Sequence, residues 1–192
     1  MSDFYAILSR MKYINRWGLM NNTRNENLSE HSLEVAIIAH SLALIGKNRL
    51  NKDIDANKVA VIAMFHDSSE IITGDMPTPI KYKNKKIQEA YKDIEKSAQN
   101  KLVEMLPDDL REDYDEVINI EESSMLYKYV KSADKISALI KCIEEMRMGN
   151  MEFAKAKQGI EDSIMRSELE EVKIFIKEML PSYSKTLDEI TL

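Results

Sequence analysis

Three short stretches of this chain carry side chains that could do chemistry. His66 and Asp67 are adjacent after an apolar stretch, and Glu70 follows at i+4 from the histidine and i+3 from the aspartate. On a helix that spacing brings Glu70 to the same side as the pair. His31 lies beside Glu30, and Asp134 interrupts an apolar stripe of Val130, Ala133, Ile136 and Ile140. Two imidazoles and two carboxylates make a mixed nitrogen and oxygen donor set, suited to a divalent transition metal with positions left for water and substrate. Each residue alone has a plainer reading. A helical histidine is commonly a hydrogen-bonded core or surface residue, and Asp134 could simply pair with Lys131 or Lys135.

The chain has only three histidines and one cysteine, so few soft or borderline ligands are available. His40 is nine residues from His31, which on an ideal helix points it to the opposite side, into a stripe with Leu33, Ile37 and Leu44. It is therefore assigned to packing, and the ligand supply suffices for one metal ion. Lone Cys142 excludes an intramolecular disulfide framework.

These residues must be positioned by helices. The 192 residues include five Gly and four Pro, nine in all, where average usage would give about 23. An all-β sandwich or a Rossmann-type fold would need more turn-forming residues. Apolar spacing predicts helices over 3–17, from an N-cap at Ser29 to about Ile45 with Gly46 after the end, and from a cap at Asp55 toward His66, stopping at Gly74. Asp75-Met76-Pro77-Thr78-Pro79 is expected to be non-helical, because proline removes a donor and restricts the residue before it. Further helices are expected from Asn84 to Leu106, from Glu121 to Met148, and once or twice within 151–179. The fold class is all-α, a bundle of about six to eight helices in a single domain spanning 1–192.

A net charge of −6 offers no global field for a nucleic-acid polymer. The longest apolar run, Val59–Phe65, has seven residues against the ~20 needed to cross a bilayer. No secretory signal is legible in residues 1–20, so a cytoplasmic protein with no membrane partner is expected.

The order His31, His66-Asp67, Asp134 resembles the H…HD…D pattern of the HD-domain metal-dependent phosphohydrolases. The stretches Ile14-Asn15-Arg16-Trp17, Asn27-Leu28-Ser29-Glu30-His31-Ser32-Leu33, His66-Asp67-Ser68-Ser69-Glu70, Thr73-Gly74-Asp75-Met76-Pro77-Thr78-Pro79 and Ala133-Asp134 are similar to the bacterial 5′-deoxynucleotidases of that superfamily. The resemblance runs from Leu8 to about Glu189. It implies that His31, His66, Asp67 and Asp134 bind one divalent ion of the cobalt, manganese or copper type. It makes Glu70 the catalytic carboxylate and Arg16 the group that orients the phosphate. Asp75 is a second candidate for proton transfer. Trp17, Asp67, Asp75, Met76, Pro77 and Thr78 would line the nucleotide site. The implied substrates are deoxyribonucleoside 5′-monophosphates, and the implied assembly is a homodimer.

Arginine suits its role because its planar fork matches two phosphate oxygens. Trp17 would form a wall where a ribose 2′-hydroxyl clashes or loses hydration. The alternatives are another HD phosphohydrolase, either a nucleotide phosphodiesterase or a triphosphohydrolase, and a non-catalytic nucleotide-binding HD protein. Many phosphodiesterases of that type bind two metals and need more histidines, and an intact Glu70 argues against a silent protein.

Overall fold

The computed structural model describes residues 2–81 and 83–190. It is all-α, and no strand occurs among those residues. The helices are α1 (Phe4–Leu8), α2 (Leu28–Arg49), α3 (Ala56–Phe65), α4 (Glu70–Thr73), α5 (Thr78–Lys81), α6 (Lys85–Glu104), α7 (Asp108–Ile118), α8 (Met125–Arg147), α9 (Ala154–Met165) and α10 (Glu170–Glu178). One 3₁₀ turn follows α1, one precedes α9, and two follow α10. Seven of these helices have nine residues or more, in line with the expected six to eight.

Helix α2 is the centre, packed on α3, α8 and α10. Val35, Ile38, Ala39 and Leu42 of α2, Val59 and Ile62 of α3, and Val130, Ala133 and Ile136 of α8 are buried together. A second cluster joins Phe4 to Leu102, Val103, Leu106 and Ile118. Among the described residues α2 alone is long and apolar enough to cross a membrane. Just over half of that stretch is buried inside the bundle, which accounts for its apolarity as a core helix.

Several boundaries differ from expectation for physical reasons. Helix α2 begins at Leu28, two residues earlier than a Ser29 cap would start it, and is capped by Asn27 instead. The Asn27 side chain accepts from the Ser29 and Glu30 amides, and Glu30 reaches back to the cap amide, a reciprocal capping box. Gly46 lies inside α2 instead of after it. A Cβ there would stand 2.6 Å from Glu171 Oε1 and 2.8 Å from the Tyr129 hydroxyl, so glycine makes room for a buried polar pair.

The face of α2 with Leu33 and Ile37 is exposed at 57% and 63%, so it is not the packed stripe expected around His40, which is half-buried. Pro79 occupies the first turn of α5, where a proline is tolerated because its missing donor would have no partner. Helix α7 carries few apolar residues and falls in a region for which no helix was anticipated.

The 3₁₀ turn Ser9–Tyr13 replaces the second half of the expected first helix. Residues 14–16 then run antiparallel to 26–28: the Arg16 amide donates to Glu26 O (2.9 Å) and the Leu28 amide to Ile14 O (2.9 Å). The intervening loop is tied to α8 by a buried ion pair, Lys141 with Glu145. Glu145 accepts from the Thr23 amide (2.9 Å) and hydroxyl (2.7 Å), while Lys141 donates to Arg24 O. That anchor fixes where Arg16 and Trp17 stand.

Candidate metal centre and active site

His31 enters the core from the first turn of α2 and is fully buried. His66 is the residue just past α3, Asp67 lies in the turn that follows, and Asp134 projects from the middle of α8. Packing α2 between α3 and α8 brings these four together: one ligand atom from each lies within 4.8 Å of all the others. His31 Nε2 is 3.5 Å from Asp67 Oδ2 and 3.3 Å from Asp134 Oδ1, and His66 Nε2 is 3.0 Å from Asp67 Oδ2. No other such group occurs among the described residues, and His40 takes no part.

The outer hydrogen bonds decide which ring nitrogen faces inward. His66 Nδ1 lies 2.7 Å from Ala63 O, an atom that can only accept, so Nδ1 carries the proton. Ser137 gives its own proton to Glu34 Oε2 (2.6 Å) and therefore accepts from His31 Nδ1 (3.2 Å). In the neutral rings both Nε2 atoms are left with a lone pair, and both are buried without a hydrogen-bond partner. Buried polar atoms are normally paired, so two lone pairs converging beside two carboxylates fit a divalent cation.

Burial opposes charge on Asp67, yet His66, His31 and Lys131 hold its carboxyl well below the usual range. Asp134 is likewise held low against burial, chiefly by Lys131, whose Nζ is 2.6 Å from Asp134 Oδ2. The plainer reading of Asp134 as a partner of Lys131 is thus also true. Its two oxygens divide the work, Oδ1 toward His31 and Oδ2 toward the lysine.

Around this group stand other residues that the sequence singles out. Arg16, largely buried, places a guanidinium nitrogen 3.4 Å from Asp67 Oδ2. Glu70 is not on the same helix as His66, because a turn over 66–69 separates α3 from α4. Glu70 opens α4, is 5% exposed, and leaves Oε2 without a partner. Burial first, then the charges of Asp67 and Asp75, push its carboxyl up to about 9.

Gly74 ends α4 with φ +73°, a backbone state that favours glycine, and turns the chain toward Asp75. Met76 and Pro77 are half-buried and Thr78 is exposed; their side chains make no hydrogen bond to the His and Asp group. Trp17 has φ +58°, packs its ring 5.4 Å from that of Phe153, and donates Nε1–H to Glu26 Oε2 (3.0 Å).

The family model described as 5′-deoxynucleotidase YfbR-like matches residues 3–183. A 5′-deoxynucleotidase of Yersinia pseudotuberculosis (strain IP32953) is 50% identical over 196 residues, covering 100% of this chain and 98% of the relative. The 5′-deoxynucleotidase of Yersinia pestis (strain Pestoides F) matches with the same identity and coverage. The chain belongs to the YfbR-like 5′-deoxynucleotidase family.

Solved structures agree on the fold of this YfbR-like chain. An HD-domain phosphohydrolase from Listeria innocua superposes with a TM-score of 0.81 at 24% identity, over 94% of this chain and 88% of the other. The cyanophage S-2L HD phosphohydrolase, bound to dA and one catalytic zinc ion, gives a TM-score of 0.63 at 19% identity, over 94% and 96%.

Sequence reasoning about this YfbR-like chain missed Glu26, Glu34 and Ser137 as site-supporting residues. Ser137 carried a faint signal, one turn beyond Asp134 on the same helix. Glu26 and Glu34 had none, because their contacts cross between elements.

Proposed function

We propose that the chain is a divalent-metal-dependent phosphomonoesterase that hydrolyses deoxyribonucleoside 5′-monophosphates to deoxynucleoside and phosphate. The observation that carries this reading is the group of four ligand atoms in which both inward histidine nitrogens are buried and unpaired. His31, His66, Asp67 and Asp134 would hold one ion, of the cobalt, manganese or copper type in this reading. When bound, such an ion supplies Lewis-acid polarisation of the phosphoryl group and acidifies water, which addresses one of the largest uncatalysed barriers known.

The chain's own residues do the rest. Arg16, already beside Asp67, presents its fork to two phosphate oxygens and orients the ester. Glu70 keeps its proton through the neutral range in the metal-free site, which suits delivery to the departing 5′-oxygen. Asp75 is the second carboxyl at this end and the alternative handler of a proton. Trp17, with the Asp75, Met76, Pro77 and Thr78 segment, forms the nucleoside side, the indole set against the sugar where a 2′-hydroxyl would stand.

A single domain acting as a cytoplasmic homodimer completes the reading, carried by the family resemblance; light scattering of the purified protein tests the dimer. The deciding experiment is a phosphate-release assay over ribo- and deoxyribonucleoside mono-, di- and triphosphates, each with several divalent metals. Release confined to deoxynucleoside monophosphates and dependent on metal is expected. Preferential release from triphosphates, or activity undiminished by chelator, would overturn it.

A further inference from the structure

One carboxylate outside the ligand set faces three of the groups used above. Glu26 Oε2 accepts from Trp17 Nε1 at 3.0 Å and lies 3.6 Å from Arg16 Nε, while its Oε1 lies 3.8 Å from His31 Nδ1. Its side chain is only 13% exposed, so a charge is held in place there at some cost. Arg16 and Trp17 are consecutive, and in extended chain such neighbours point to opposite sides.

The left-handed backbone of Trp17 lets both converge on one oxygen. A non-glycine residue in that conformation is strained and needs its surroundings to hold it. The holders of the indole are Phe153 on one side and Glu26 at Nε1. Arg16 Nε, buried and without a hydrogen bond of its own, has Glu26 Oε2 at 3.6 Å, while Nη1 is the atom that meets Asp67.

We propose that Glu26 is a positioning residue that sets sugar discrimination and phosphate orientation together, by fixing Trp17 and Arg16 on one carboxylate. The proposal rests on the substrate-facing roles given to those two residues above. Glu26 does not hold the metal site: His31 Nδ1 already has Ser137 at hydrogen-bond distance, and 3.8 Å to Glu26 is too long for a second bond.

The test compares Glu26→Ala and Glu26→Gln with the parent enzyme. Trp17 is the only tryptophan, so intrinsic fluorescence reads its environment directly. In the alanine variant the emission shifts and acrylamide quenching rises. The ratio of ribo- to deoxynucleotide kcat/KM climbs about threefold to tenfold, the weight of one hydrogen bond. Manganese affinity of the metal-free protein, by calorimetry, stays near the parent value. Glutamine retains an acceptor for Nε1, so native emission returns, while KM for the deoxynucleotide stays raised because the charge facing Arg16 is gone.

Native emission and selectivity in the alanine variant would overturn the proposal. So would manganese affinity falling in step with selectivity, which marks a general support of the fold. If the alanine variant does not fold, the glutamine variant decides alone, and an unchanged KM refutes the role. A parent enzyme that releases no phosphate from any nucleotide refutes the functional reading instead, and the emission of the variants still judges Glu26.

Discussion

Ser137 holds the His31 ring by its outer nitrogen: Oγ stands 3.2 Å from Nδ1 while the same hydroxyl donates to Glu34. This fixes the tautomer that turns the Nε2 lone pair inward. Outer partners of metal-bound histidines typically contribute 10- to 100-fold in affinity. Ser137→Ala is therefore expected to weaken manganese or cobalt binding by about that factor, with the metal-free fold unchanged by circular dichroism. Calorimetric titration checks it, and an unaltered dissociation constant would refute the tautomer argument.

Asp134→Asn removes one ligand charge and leaves Lys131 facing a neutral amide. Its loss is expected to exceed that of an outer partner, roughly a hundredfold or more in metal affinity. Phosphate release falls with it. Full metal occupancy in the variant, measured by elemental analysis after dialysis, would remove Asp134 from the ligand set.

Glu70 makes a pH-dependent contribution to stability in the metal-free protein. Its ordinary value is 4.5 and burial lifts it to about 9, so between these values the folded state binds a proton that the unfolded state has lost. Unfolding free energy must then fall as pH rises from 4.5 through about 9, since the slope has the sign of protons bound unfolded minus folded. Glu70→Gln keeps a neutral side chain of the same shape and removes this loss. Denaturant titrations at pH 5, 7 and 9 are expected to show the variant gaining on the parent as pH rises. A constant difference across that window contradicts the assignment.

The same Glu70→Gln protein binds metal like the parent yet releases little phosphate, because the amide cannot exchange a proton with the ester or water. Retained turnover in the phosphate assay would end its catalytic role.

Gly46→Ala tests the core behind the site. The added methyl meets Glu171 Oε1 and the Tyr129 hydroxyl well inside contact distance, in a region where Glu171 is fully buried. Overpacking of this kind costs about 1–3 kcal/mol. Urea unfolding is expected to show that loss with metal affinity preserved. A variant as stable as the parent would mean that the Glu171 and Tyr129 pair shifts freely.

Local order made much of the site readable in advance. His66, Asp67 and Glu70 are neighbours in sequence, so any backbone that turns after α3 keeps them close. Asp134 announced itself as a charge in an apolar stripe. The segment from Gly74 to Pro79 was legible as a break, though α5 forms within it because proline tolerates a first turn. The Asn27 cap was displaced from the expected Ser29 by a reciprocal bond with Glu30 that a residue-type preference does not single out.

Other features depend on which helix faces which. Leu33 and Ile37 have core composition but lie on the side of α2 that neither α3 nor α8 covers. Glu34 and Ser137 meet only because α2 packs on α8, and Glu26 reaches Trp17 only because residues 14–16 pair with 26–28.

The sequence by itself determined the helical class and, through its resemblance to the HD pattern, singled out His31, His66, Asp67 and Asp134 as candidate ligands, with one metal ion expected from only three histidines. The class follows from composition and helical periodicity, and the ligand candidates follow from the resemblance. The tertiary structure decided that the ligand atoms converge within 4.8 Å, which nitrogen of each ring faces inward, and which carboxylate joins Arg16 to Trp17. Such facts depend on side-chain directions between packed elements, and no periodicity along one chain encodes the rotation of one helix against another.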